Sequence, residues 1–156
     1  MESTSLQGRY APASVCFGCG PANPRGLHLQ SRLAEEGDAL VATWVARSEH
    51  EAFPGALNGG IIGTLLDCHS NWAAAMHLMR GSGAERLSST VTADLAIHYL
   101  RPTPTSRPIT LRARVVEANG RRSTVEATLE ADGDICATSR ATFVAVNPGH
   151  PAYGRW

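Results

Sequence analysis

The chain has 156 residues, a formal net charge of zero, 43% hydrophobic residues and 18% charged residues. That is enough length and apolar content for one folded domain with a core, and it excludes a disordered chain. The balanced charge excludes the concentrated basic surface that nucleic-acid phosphates require, and no apolar run reaches the roughly 18 residues needed to cross a bilayer.

The N-terminus, Met1-Glu-Ser-Thr-Ser-Leu-Gln-Gly-Arg9, lacks the apolar core of a signal peptide. The expectation is a cytoplasmic protein with neither nucleic-acid nor membrane partners. Residues 1–25 read as an irregular segment, with Pro12, Pro21 and Pro24 among Gly8, Gly18 and Gly20. Within it lies Cys16-Phe-Gly-Cys19; the other cysteines are Cys68 and Cys136. As zinc ligands this pair lacks a second CxxC or HxxxH at the usual spacing, and His28 and His50 complete no pattern. As a redox pair it neither follows a strand nor opens a helix. The reading is a tight glycine-rich turn with reduced thiols and no metal.

A domain over 26–147 follows. Leu27, Leu29 and Leu33 suggest a strand, Glu35-Glu36-Gly37-Asp38 a turn, and the alternation of Leu40, Ala42 and Trp44 its hairpin partner. Residues 47–57 read as a loop carrying His50, Phe53 and Pro54. A helix then runs from Gly59 to Met79, ended by Gly81-Ser-Gly83. The second half alternates with period two. Val91, Ala93, Leu95, Ile97 and Tyr99 form one face of a strand; Thr92, Asp94, Ala96 and His98 form the other. After the prolines at 102, 104 and 108, Leu111–Val115, Val125–Leu129 and Ile135–Phe143 make three more strands. Asn119-Gly120 and Asp132-Gly133 turn them. Residues 148–156 read as a loose tail.

The informative stretch is Phe53-Pro-Gly-Ala-Leu-Asn-Gly-Gly-Ile-Ile-Gly-Thr-Leu-Leu-Asp67. At helical spacing Gly60, Gly63, Thr64, Asp67 and Asn71 share one face, and Ile61, Ile62, Leu65, Leu66 and Trp72 cover the rest. A carboxylate inside an otherwise apolar helix is costly unless the charge has a partner or a task. At the head of the stripe the first N–H groups of the helix are free to face a developing oxyanion. Asn58 is equally suited to capping those groups. Cys68 and His69 beside Asp67 do not make a nucleophilic dyad, since neighbours on a helix point about 100° apart.

One apolar helix in a chain of strands must be wrapped by the sheet. The fold class expected is α+β: a long central helix within a curved antiparallel sheet of five to six strands. Such a sheet leaves open edges and an uncovered helix stripe. A second copy solves both, so a homo-oligomer is expected, a dimer or a tetramer, with the stripe near the interface.

Three segments resemble the hotdog-fold acyl-CoA thioesterases of the phenylacetate-breakdown and 4-hydroxybenzoyl-CoA type. They are Cys16-Phe-Gly-Cys-Gly-Pro-Ala-Asn-Pro-Arg-Gly-Leu27, the stretch from Phe53 to Asp67, and Thr92-Ala-Asp-Leu-Ala-Ile-His-Tyr-Leu-Arg-Pro102. The second is similar to the family's histidine and two glycines, six residues, then an acid. The third ends like its Tyr-Leu-x-Pro strand. The resemblance implies hydrolysis of an acyl-CoA thioester with no cofactor beyond the coenzyme A of the substrate. It implies Asp67 as general base or nucleophile, the Gly60 N–H as the group polarising the carbonyl, and Thr92 assisting the water or the acid. Asn58 stands where the family has histidine; it can donate a hydrogen bond but cannot titrate.

Gly59, Thr64, His50 and Phe53 are expected to border the substrate, with the acyl group near Trp72 or Met76. Of Arg101, Arg107, Arg121 and Arg122, one or two are expected to meet the coenzyme A phosphates, Arg101 and Arg121 foremost. The same fold also hosts acyl-CoA binders and dehydratases; a dehydratase needs a histidine close to Asp67.

Overall fold

A computed structural model describes residues 4–156. In chain order it contains helix α1 (Leu6–Tyr10), β1 (Arg32–Leu33), β2 (Leu40–Trp44), a 3₁₀ turn (Ser48–His50), β3 (Glu51–Phe53), β4 (Ala56–Leu57), the long helix α2 (Gly59–Ser82), and β5 (Thr90–Tyr99), β6 (Ile109–Asn119), β7 (Arg122–Ala131) and β8 (Asp134–Ala145). Six strands form one antiparallel sheet in the order β1-β2-β6-β7-β8-β5, and β3 pairs with β4 in a small hairpin. The expected long helix against a curved antiparallel sheet of six strands is what the chain forms, with α1 as a short addition. No helix among the described residues is long and apolar enough to cross a membrane.

The core forms where α2 crosses the sheet. Leu65, Leu66, Trp72, Ala74 and Ala75 on the helix are fully enclosed, facing Leu111, Ala113, Val125, Leu129, Ala141 and Phe143 from β6, β7 and β8. From His69 to Met76 the helix is buried all round, and the alanines there are small enough to let strands approach from several sides. The helix runs past the expected Met79 to Ser82, because Gly83, not Gly81, takes the left-handed cap at φ 68°.

The β6–β7 hairpin closes with Asn119 opposite Arg122. Its central pair is therefore Gly120-Arg121, and Gly120 supplies the positive φ of 59° that the turn needs.

Three expectations change. The strand expected over Leu27–Leu33 shrinks to Arg32–Leu33, because His28 takes a left-handed φ of 54° and cannot stay extended. Leu27 and Leu29 instead donate their N–H groups to Phe17 O (2.8 Å) and Gly18 O (3.0 Å), tying residues 26–29 to the N-terminal segment. That segment is integral to the domain: Leu6, Ala11 and Cys19 are core residues. The tail is not loose. Trp156 lies against Trp72 with ring centroids 4.6 Å apart, and its Nε1 donates to Ser88 O at 2.8 Å.

Candidate active site

The first half of α2 lies under edge strand β5, and the two meet in a ladder of four steps. A Cβ on Gly59 would sit 3.5 Å from the Tyr99 ring, and one on Gly63 would sit 3.4 Å from Ile97 Cδ1. Thr92 Oγ1 donates to Asp67 Oδ1 at 2.7 Å, and Thr90 Oγ1 donates to Asn71 Oδ1 at 2.5 Å. Positions 59, 63, 67 and 71 are one helical row, since every fourth residue stacks on the same face.

Thr92 reaches this ladder because of a bulge. Strict alternation places it on the outer face with Asp94 and His98. In the structure Thr92 pairs with Phe143 and Asp94 with Thr142, leaving Ala93 as the extra residue. One inserted residue inverts the alternation. Thr92 therefore shares the helix-facing side with Leu95, Ile97 and Tyr99, while Asp94 and His98 face outward.

Asp67 is half-buried. Burial raises its carboxyl above the ordinary aspartate range; the Thr92 hydroxyl and then the Arg155 cation hold it down, and Cys16 adds a smaller upward push. Thr92 is the only donor to Asp67 among the described residues, and no salt bridge there neutralises it. No histidine contributes to its charge state.

His69 is sealed on the far side of α2. Its Nε2–H donates to Leu40 O at 3.1 Å, and its Nδ1 accepts from Ser31 Oγ at 2.8 Å. Gln7 Nε2 in turn donates to Ser31 Oγ at 3.1 Å, and Ser31 N–H donates to Gln7 Oε1 at 2.8 Å. Burial drives the imidazole down to about 4, so it is neutral. Neither a Cys68–His69 dyad nor an Asp67–histidine pair forms.

The helix start differs from the expectation in one atom. Asn58 Oδ1 accepts from Gly60 N–H at 2.8 Å and Ile61 N–H at 3.2 Å. Gly60 N–H is thus engaged by the cap and does not face solvent free. The Asn58 Nδ2 amide and Gly59 N–H, at the first helical position, are the groups the cap leaves over. Tyr99, which sequence reading placed on a strand face without a role, donates its hydroxyl to Gly59 O at 2.9 Å and braces the helix start.

The remaining expected contacts divide. Thr64 Oγ1 donates to Gly60 O within its own helix at 3.0 Å. Phe53 is 62% exposed on the hairpin before α2. His50, only 7% exposed, points inward: it stacks on Trp44 at 5.1 Å, and its Nδ1 accepts from Arg47 N–H at 3.0 Å. It holds the loop through these contacts. Trp72 and Met76 are core residues at 0% and 4% exposure, so an acyl group cannot lie against them without displacing the core.

Arg101 pairs with Asp134 at 3.3 Å near the start of α2. Arg121 sits in the β6–β7 turn, beside the other end of β5, where Arg122 opposes Val144 and Thr90 opposes Ala145. The two arginines lie at opposite ends of the sheet and cannot serve one phosphate group of one chain. A cavity of about 600 Å³ opens between Tyr10, Arg86, Tyr153 and Trp156, but Asp67 is not in its walls. The ladder opens at the sheet edge instead.

The model of the thioesterase superfamily matches residues 54–138, which include the helix start, Asp67 and Thr92. No curated protein sequence matches significantly. Among solved structures, a thioesterase superfamily protein from Shewanella loihica PV-4 is 29% identical, with 81% of this chain and 98% of that chain covered and a TM-score of 0.65. A phenylacetic acid degradation-related protein from Ralstonia eutropha JMP134 is 25% identical, with 76% and 86% covered and a TM-score of 0.64. A thioesterase from Haemophilus influenzae is 21% identical, with 81% and 84% covered and a TM-score of 0.68, a likeness of fold. With its one long helix packed on a six-stranded antiparallel sheet and the family match spanning that helix, β5, β6, β7 and the start of β8, the chain belongs to the thioesterase superfamily.

Proposed function

We infer that the chain hydrolyses an acyl-CoA thioester to a free carboxylic acid and coenzyme A, with Asp67 as the reacting acid. The observation that carries this reading is the Thr92–Asp67 hydrogen bond of 2.7 Å on a half-buried carboxylate without a salt bridge among the described residues, about two turns from a helix N-terminus. A buried structural acid would have a salt bridge or several donors; this one has a single hydroxyl that can orient it, with the Arg155 cation acting on it without a salt bridge. The Asn58 Nδ2 amide and Gly59 N–H hold the thioester oxygen, because Gly60 N–H is committed to the cap. Asp67 then takes a proton from water or attacks the carbonyl itself, and Thr92 keeps the acting oxygen aimed. A thioester is activated enough that a carboxylate and an oxyanion site suffice.

The acting form is a homo-oligomer, a dimer or a tetramer. β5 is a ten-residue edge strand that ends at exposed Tyr99 (56%) and is followed by exposed Leu100 (57%). Such an edge is a template for pairing, and a second copy there would roof the ladder and complete the acyl site. Arg101, two residues after the Tyr99 that braces the helix start, is our candidate for meeting the coenzyme A phosphates. The protein is expected to work in the cytoplasm.

The test is coenzyme A release from a panel of aliphatic and aromatic acyl-CoAs, with Asp67→Asn in parallel. Release that collapses in the variant supports the reading. Tight acyl-CoA binding without release by the wild type would overturn it in favour of a binding protein, which the Asn58 cap over Gly60 would then explain.

A further inference from the structure

Three thiols from distant parts of the sequence meet beside α2. The Sγ atoms of Cys16, Cys19 and Cys68 lie within 4.8 Å of one another, the only such group of three metal-ligating side chains among the described residues. Cys16 Sγ and Cys68 Sγ are 3.8 Å apart, and all three thiols are free. A tetrahedral zinc ion with Zn–S bonds of about 2.3 Å sets its sulfurs about 3.8 Å from each other. A lone CxxC supplies two ligands and no site; the fold brings up the third.

We propose that Cys16, Cys19 and Cys68 form a thiolate site for a tetrahedral divalent cation, zinc being the expected ion, with the fourth position taken by water. Soft thiolates select such ions, and three protein ligands with one open position is an established zinc arrangement. Binding replaces thiol protons by metal: one cation enters and up to three protons leave.

The surroundings carry a donor of the kind that metal thiolates need. The indole Nε1–H of Trp72 donates to Cys19 Sγ at 3.3 Å. Such N–H···S contacts spread thiolate charge and fix ligand orientation. The turn itself is held by Gly20 N–H on Cys16 O at 2.8 Å. Gly18 is required for the approach, since a Cβ there would sit 2.4 Å from Cys68 Sγ and 2.9 Å from Thr64 Cγ2. A disulfide would use two of these sulfurs and strand the third; a metal ion uses all three. Seated there, the ion pins the N-terminal segment to α2 one residue from Asp67. No step of the proposed hydrolysis runs through it, and the inference stands apart from that reading.

The test is titration of the reduced, metal-free protein with cobalt(II), followed by displacement with zinc. The expected result is one equivalent of cobalt giving the visible bands of a tetrahedral thiolate complex, bleached by one equivalent of zinc. The bands are lost in C16S, C19S and C68S and kept in C136S. Should a serine variant fail to fold, alkylation of the wild type decides: zinc slows modification of Cys16 and Cys68, and leaves Cys136 unchanged. No stoichiometric cobalt complex, bands that survive C68S, or a mass two hydrogens lighter with no metal uptake after reduction would overturn the proposal.

Discussion

Asp67 and His69 stand two residues apart on the same helix and face opposite ways, and their surroundings differ in kind. His69 is fully enclosed, with both ring nitrogens satisfied by Ser31 and Leu40. Asp67 is half-enclosed and has one hydroxyl donor. Burial pushes the two in opposite directions, the histidine down and the acid up, because in each case it penalises the charged form. Around His69 the fold has met that demand with neutral partners, so the group works as a buried joint linking α1, β1's approach, β2 and α2. Around Asp67 the demand is left open toward the sheet edge. A polar group whose needs are met inside the chain is structural; one whose needs are unmet and accessible is a candidate for chemistry.

The largest break in this contrast comes from Asp67→Asn. It keeps the shape and an acceptor for Thr92 but removes the base or nucleophile, and kcat for acyl-CoA hydrolysis should fall by about 10³-fold or more. Thermal unfolding should show the melting temperature held or raised, since a poorly partnered buried charge is gone. A variant with near wild-type turnover would remove Asp67 from the reaction.

Next in size is the pH response of His69. Its ring sits at about 4 in the folded chain against roughly 6.5 unfolded. Between those values the unfolded chain binds a proton that the folded chain refuses. Stability is therefore full above about pH 6.5 and is lost as pH falls toward 4, by about 3 kcal/mol in all. Urea unfolding across that range should show the slope in the wild type and a flatter profile in His69→Gln. An unchanged slope in the variant would assign the effect to other groups.

Asn58→Asp sharpens the other end of the ladder. The carboxylate still caps Gly60 and Ile61, so the melting temperature should hold. The Nδ2 donor is gone and a negative charge takes its place, so kcat should fall about 100-fold. Unaltered turnover would put the thioester oxygen elsewhere. The smallest effect is expected of Thr92→Val, about tenfold in kcat. Losing its hydroxyl removes a contact that holds the Asp67 carboxyl down, so the acid limb of the rate profile should move to higher pH, while Thr92→Ser restores both. A limb that does not move would reduce Thr92 to a strand residue.

Much of the fold was legible because it rests on local pattern. The helical stripe of Gly60, Gly63, Thr64, Asp67 and Asn71, the meander over β6–β8 and its glycine turns each follow from spacing within a few residues, and the wrapped helix follows because one apolar helix has nothing else to bury it. Asp67 stood out for the same reason, a charge misplaced in an apolar period. Contacts that join distant segments were not legible. Alternation alone put Thr92 on the wrong face, since a bulge at Ala93 is a property of pairing with β8. Nothing near His28 or Trp156 announces that the first strand breaks or that the tail seats on Trp72. The sequence by itself determined which residues could be helix, strand and acid, because those are one-dimensional periodicities. Only the tertiary structure decided that Asn58 takes the Gly60 N–H, that Thr92 meets Asp67 and that Cys68 joins Cys16 and Cys19, because hydrogen-bond and ligand geometry is set by how packed elements fix atoms within an ångström.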